Sequence, residues 1–191
     1  MSSNSAFRTG PLPLLAQVLF VASVWVLLYV LNDWLFDQVA ISAYASWVFL
    51  PAALRMLAVL LCGWVGVVGL FVGSLITGIY THGLLDPGML VVLAGLSALS
   101  PMVAFLVCTR WFGWRSDLRG LSATQLVVLS LLVSLCGAGL HNMHLLAIGA
   151  IETIGQTFVT MFVGDMVGTF VVLYTAKFLI GLVPLNKQAA G

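Results

Sequence analysis

The segment 47–80, WVFLPAALRMLAVLLCGWVGVVGLFVGSLITGIY, carries a single charge, Arg55, inside an otherwise apolar run. A guanidinium in such a run is cut off from bulk water, so it needs an acceptor elsewhere in the protein or a wet cavity. Asp165 lies in another apolar run, far along the chain, and is the natural acceptor. The sequence therefore predicts that these two side chains belong to one site inside a membrane.

The composition requires a membrane protein with several spans. Of the 191 residues, 62% are hydrophobic and 7% are charged, whereas soluble domains are about a quarter charged. The mean hydropathy is +1.16. One spanning helix needs roughly 20 apolar residues, so about six spans use most of the chain and leave only short loops. We expect an all-α polytopic bundle that forms a single integral membrane domain over residues 1–191.

The apolar runs place these spans approximately at 12–31, 39–62, 64–80, 89–109, 121–140 and 158–183. Pro51 then falls inside the second span, where it would remove a helical hydrogen bond and free the carbonyl of Trp47. Pro101 would kink the fourth span. Segment 141–157 is too polar for a span and too apolar for a solvated loop, so we expect it at the interface or dipping back into the bilayer.

The loop charges predict the orientation. If the N-terminus is cytoplasmic, the basic residues fall on that side with one acid, Asp117. They are Arg8, Arg110, Arg115, Arg119, Lys177 and Lys187. The other side receives Asp33, Asp37, Asp86, Glu152 and the three histidines. Because cytoplasmic loops of membrane proteins are enriched in Lys and Arg, we expect both termini in the cytoplasm.

Arg55 and Asp165 are expected at similar depths. Arg55 lies eight residues after Trp47, or about 12 Å along a helix, and Asp165 lies seven residues after Phe158, or about 10 Å. A lone charge at a helix centre costs on the order of 2.5 to 3.5 kcal/mol on insertion scales, which favours pairing or an anionic ligand for Arg55. Two interpretations stay open: a structural ion pair, and a pair that lines a ligand or ion cavity.

Other residues are candidates for the lining of such a cavity: Trp47, Pro51, Gly164, Gly168, His141 and Asn142. His141 and His144 are three residues apart, but a metal site needs three or four converging ligands, so we expect hydrogen bonding and no metal. The three cysteines have no metal or redox spacing. No nucleophile with its base, phosphate loop or nucleotide motif is visible, so we expect no enzyme activity, no cofactor and no nucleic-acid partner.

Several features in order along the chain resemble the membrane-associated sensor (MASE) domain of the first type. They are Trp47 and Pro51 opening a helix, a short helical hairpin into a glycine-rich helix ending LFVGSLITG, the charged loop RWFGWRSDLRG, and a last span with Gly164, Asp165 and Gly168. The resemblance covers roughly residues 40–182. It implies a bacterial inner-membrane sensor module, here free-standing without an output domain.

Three functions are compatible with these patterns. The first is a sensor-like module that binds a small molecule or ion in an intramembrane cavity near the outer leaflet and signals to a separate partner through its cytoplasmic face. The second is a small transporter, or a substrate-binding subunit of one, because broken helices and a charge in mid-membrane also occur in transporters. The third is a structural subunit of a membrane complex.

Overall fold

The computed structural model describes residues 11–42, 45–82, 86–113 and 122–182. The helices are α1 (Pro11–Phe36), α2 (Pro51–Cys62), α3 (Trp64–His82), α4 (Pro87–Trp111), α5 (Ala123–Ala147) and α6 (Gly155–Leu182). A turn of 3₁₀ helix (Asp37–Val39) leads into a short antiparallel hairpin of β1 (Ala40–Ser42) and β2 (Ala45–Ser46).

Five of the helices are long and apolar enough to cross a membrane. These stretches are Pro13–Phe36, Trp64–Thr81, Pro87–Trp111, Thr124–Ala147 and Gly155–Leu179. The remaining helix, α2, is also apolar but has only 12 residues, or about 18 Å of length. The expected helical membrane bundle is therefore confirmed, with a second helix too short to cross on its own.

The prediction of a continuous second span at 39–62 is wrong. Residues 40–42 and 45–46 form the two strands of the hairpin, residues 47–50 continue without helical structure, and α2 begins only at Pro51. Proline suits this first position of a helix because its missing N–H would have no helical partner there. Pro51 therefore starts a helix instead of kinking one, and no helical hydrogen bond to the carbonyl of Trp47 is lost.

Segment 46–50 is not helical and passes from the hairpin into the bundle at Leu50, and other elements supply its hydrogen bonds. The N–H of Phe49 donates to the carbonyl of Gly164 on α6 at 3.0 Å. The N–H of Leu50 donates to Oδ1 of Asn32 on α1 at 2.8 Å. Such partners are required because non-helical backbone at membrane depth is tolerated only where protein or a wet cavity satisfies it.

The glycines of α6 make this arrangement sterically possible. A Cβ at Gly164 would overlap the carbonyl of Ser46, and a Cβ at Gly168 would overlap the carbonyl of Phe49. The GxxxG pattern of α6 therefore leaves room for segment 46–50 to pack directly against this helix. The GxxxG pattern in α3 allows two helices to approach closely, which is the usual role of small residues in membrane helices. Gly69 and Gly73 pack directly against side chains of α1.

The helices α1 and α3 run side by side in the same direction, as their contacts show. Val21 and Trp25 of α1 face Gly69 and Gly73 of α3, and Trp25 Nε1 donates to Oγ1 of Thr77 at 3.1 Å. The neighbouring α4, α5 and α6 alternate in direction along the chain. The core of the bundle is formed by these helices together with the short α2.

We call the end of the bundle that carries the β hairpin the hairpin end. Helices α1, α3 and α5 end there, and α4 and α6 begin there, at Phe36, His82, Ala147, Pro87 and Gly155 respectively. The described acids at this end are Asp33 in the last turn of α1, Asp37, Asp86 and Glu152. Arg110 and Lys177 lie toward the opposite end. The other expected loop charges, Arg8, Arg115, Asp117, Arg119 and Lys187, lie outside the described residues.

The fifth helix is longer than the sequence suggested. It continues through His141 and His144 to Ala147, so the first part of segment 141–157 is a regular helix and does not lie along the interface. Asn142 and Leu145 are fully buried on its inner side. The chain then turns through Gly149, whose φ of 71° favours glycine, and α6 follows at Gly155.

Candidate functional site

Arg55 and Asp165 form a buried ion pair between α2 and α6. Nη2 of Arg55 donates to Oδ1 of Asp165 at 2.5 Å, and their side chains are only 5% and 7% exposed. Asp165 lies ten residues after Gly155, the first residue of α6, which is about 15 Å along the helix axis. The structure thus brings together the two charges that the sequence singled out, far from either end of α6.

The guanidinium of Arg55 is held by contacts on several sides. Its Cζ lies 5.3 Å from the centroid of the Phe49 ring, a distance at which a cation is attracted to the ring face. On α5, Gly137 leaves room for it, because a Cβ there would stand 2.8 Å from Nη1. Nε is buried and has no hydrogen-bond partner among the described residues.

The ion pair borders a small inner cavity of about 100 Å³. Its lining comes from four elements of the bundle and from segment 46–50: Ser46, Phe49, Arg55, Ser97, Gly137, Ala138, His141, Met161 and Asp165. Both charged partners are therefore beside empty space as well as beside each other. A group that entered this space would lie next to the guanidinium and the carboxylate.

A larger outer cavity of about 260 Å³ lies on the hairpin side of the inner one. Its walls include aromatic side chains, Trp25, Tyr29, Phe36 and Phe49, and its lining also contains Asp33 and Asp37 near the end of α1. The two cavities share the residues Ser46, Phe49, Ser97, His141 and Met161. They therefore adjoin, with the outer cavity toward the acidic hairpin end and the inner cavity at the ion pair.

His141 lies where the two cavities meet. Its Nδ1 is 2.8 Å from the carbonyl of Gly137, and because a carbonyl only accepts, Nδ1 carries the hydrogen. Nε2 is 3.3 Å from Oγ of Ser97 on α4. This pair of hydrogen bonds fixes the imidazole between α4 and α5 and places a polar bridge on the path from the outer cavity to Arg55.

The remaining candidates from the sequence occupy other places. Trp47 is 40% exposed, and it lines neither cavity. Pro51, Gly164 and Gly168 serve the start of α2 and the packing of segment 46–50, as described above. Asn142 is fully buried, and its Nδ2 donates to the carbonyl of Ala138 at 2.8 Å and to Sδ of Met161 at 3.1 Å.

Sequence reasoning missed several residues of the site: Ser46, Phe49, Ser97, Gly137 and Met161. Ser97 had a usable pattern, because a polar side chain within an apolar span tends to face the bundle interior. Gly137 and Met161 had none, since glycine and methionine are common in membrane helices whatever they face. In the described part of the chain, no group of three or more His, Cys, Asp or Glu side chains is arranged to hold a metal ion.

Comparisons of the chain with protein-family models, with curated proteins and with solved structures give no match. The resemblance to the MASE domain stays a prediction from the sequence.

Proposed function

We propose that this protein is a multi-pass membrane protein of the bacterial inner membrane that binds a small molecule in the joined cavities and reports its occupancy to a separate partner. The observation that carries this proposal is the pair of adjoining cavities between the hairpin end and the buried Arg55 and Asp165. A purely structural ion pair needs no cavity beside it. Ionisable groups at membrane depth that face a cavity commonly mark a site for a ligand or ion.

The orientation follows the distribution of charges. With the acidic hairpin end outside and the basic opposite end in the cytoplasm, both termini are cytoplasmic, in line with the enrichment of Lys and Arg on that side. The cavities then open toward the outer leaflet. The pair, about 15 Å along α6, lies near the middle of a hydrocarbon layer of about 30 Å.

Segment 46–50 is the element that would respond to a ligand. Phe49 lines both cavities, its N–H is bonded to Gly164, and α2 follows two residues later. A ligand that displaced the Phe49 ring would shift α2 against α6, because the same short segment carries both contacts. This shift would transmit occupancy toward the opposite end of the bundle, provided that the ligand binds the two arrangements differently.

Cysteine accessibility tests the path. In a variant in which Cys62, Cys108 and Cys136 are replaced by alanine, Ser97→Cys should react with a membrane-impermeant thiosulfonate reagent added from the hairpin side. Leu99→Cys is the matched control on the same helix, since Leu99 is 44% exposed on the outside of the bundle and would face lipid. Equal protection of both cysteines would contradict the proposal.

A transporter is the second candidate, and one observation favours it. A helix that begins inside the bundle after a non-helical segment is typical of the discontinuous helices that form substrate sites in transporters, and α2 with segment 46–50 has this form. Uptake of a radiolabelled ligand into proteoliposomes that contain only this protein separates the two. Accumulation or exchange favours a transporter, whereas saturable binding without flux favours the sensor.

A further inference from the structure

Among the described residues, the hairpin end carries acidic side chains and no Lys or Arg. Asp33, Asp37, Asp86 and Glu152 lie there, and no basic residue other than histidine occurs in segments 33–50, 82–92 and 141–157 of the sequence. Asp33 and Asp37 line the outer cavity. A cleft lined by one sign of charge concentrates ligands of the opposite sign. The mouth of the cavity therefore favours a ligand that carries a cationic group and opposes a simple anion.

The inner end of the path has the opposite requirement. A guanidinium has five N–H donors, and Arg55 is 4% exposed. Nη2 is bonded to Asp165, while Nε has no partner among the described residues. A buried donor without an acceptor is unfavourable. This end of the path therefore calls for an acceptor at the unpaired N–H of Arg55, beside the carboxylate of Asp165.

The walls between the two ends suit a short carbon chain. Trp25, Tyr29, Phe36 and Phe49 contribute aromatic side chains to the lining of the outer cavity, and ring faces also attract cations. The first residue of α2, Pro51, lies two residues after Phe49, so the positive end of the α2 dipole is close to the inner cavity. That end of a helix favours an anionic group.

We propose that the ligand of the joined cavities is a small zwitterion, with an ammonium group at Asp33 and Asp37 and a carboxylate at Arg55. This inference rests on the proposed function, because it names the class of compound that the same cavities take. The guanidinium is planar and has two edges for acceptors, so it holds the ligand carboxylate while Nη2 keeps its bond to Asp165.

A series of ω-amino acids tests the proposal on the full-length protein in detergent. 4-Aminobutyrate and 6-aminohexanoate would be compared by thermal shift and calorimetry with butylamine, butyrate, hexylamine and hexanoate. At least one zwitterion should raise the unfolding temperature, since a ligand that binds only the folded state stabilises it. The matched amine and carboxylate should each bind at least about tenfold more weakly, because each lacks one charge-assisted contact. An amine or a carboxylate that binds as tightly as its zwitterion would overturn the proposal.

Variants at the mouth of the outer cavity test whether Asp33 and Asp37 bind the ammonium group of the ligand. The double variant Asp33→Asn, Asp37→Asn should weaken binding of the zwitterion about tenfold, whereas Asp86→Asn, an acid of the same end that lines neither cavity, should leave it unchanged. Both changed residues are exposed, so the fold should survive. If no ω-amino acid binds but another class of compound stabilises the protein and protects Ser97→Cys from labelling, the zwitterion is wrong and the proposed function stands. If Ser97→Cys is also inaccessible, the proposed function itself fails.

Discussion

Gly137 of α5 faces Arg55 of α2 with no side chain between them, and a Cβ at Gly137 would stand 2.8 Å from Nη1. The same Cβ would lie 3.6 Å from Oδ2 of Asp165. This glycine therefore determines how close the guanidinium comes to α5 and how much of the inner cavity stays open. The site therefore depends on glycine at position 137 as much as on the two charged residues.

Substitution Gly137→Ala should displace the guanidinium. Because an added methyl group that presses on a fixed interior neighbour costs about 1 to 3 kcal/mol, we expect a loss of that size in the free energy of unfolding, measured by denaturation in detergent. Gly139→Ala on the same helix is the control, since nothing lies within 4 Å of its added Cβ. It should be neutral or stabilising by up to about 1 kcal/mol from helix propensity. Equal effects of the two changes would show that Arg55 moves freely.

Substitution Gly168→Ala should disturb segment 46–50. The added Cβ would meet the backbone of Phe49, which cannot rotate away as a flexible side chain would. We expect destabilisation of about 3 kcal/mol or more and altered reactivity of a cysteine placed at Ser46. Gly95→Ala on α4 is the matched control, because its Cβ has nothing within 4 Å. A neutral Gly168→Ala would contradict the close approach of this segment to α6.

Asn32 supports the start of α2 through its hydrogen bond with the N–H of Leu50. Asn32→Leu keeps the approximate side-chain volume but leaves that buried N–H without a partner. We expect a loss of about 1 to 3 kcal/mol in the free energy of unfolding, measured by denaturation in detergent. Gln38→Ala, an exposed change in the nearby 3₁₀ turn, should stay within about 0.5 kcal/mol of the wild type. If both changes have the same small effect, the Leu50 amide has another acceptor.

The sequence was sufficient to predict a membrane bundle and the meeting of Arg55 with Asp165, and the reason is the same for both. Long apolar runs are stable in a bilayer and not in water. A single charged side chain in such a run has a high free energy unless it is paired, so it is expected to have a partner. The partner could be found because Asp165 is the only acid deep within a predicted span.

The path of segment 46–50 could not be predicted in this way. After Ser46 its residues are apolar or aromatic, so hydropathy does not distinguish a helix there from an extended chain. What permits the extended form is distant in sequence: the carbonyl of Gly164 for Phe49 and the side chain of Asn32 for Leu50. The cavity has the same origin. Ser97, His141 and Met161 meet only because α4, α5 and α6 pack in this order.

The pair itself is best tested by a double-mutant cycle. Removing one partner of a buried ion pair leaves an uncompensated charge and costs about 3 to 5 kcal/mol, so Asp165→Leu should strongly destabilise the protein in detergent. Arg55→Met should cost less, since a buried carboxylate can bind a proton. The double variant should recover most of the loss, because two apolar side chains of similar volume replace a pair that is costly to desolvate. Additive losses in the double variant would mean that the two charges do not depend on each other. A double variant that folds normally but no longer binds any ligand would show that the pair is kept for binding, because the fold would then not require it.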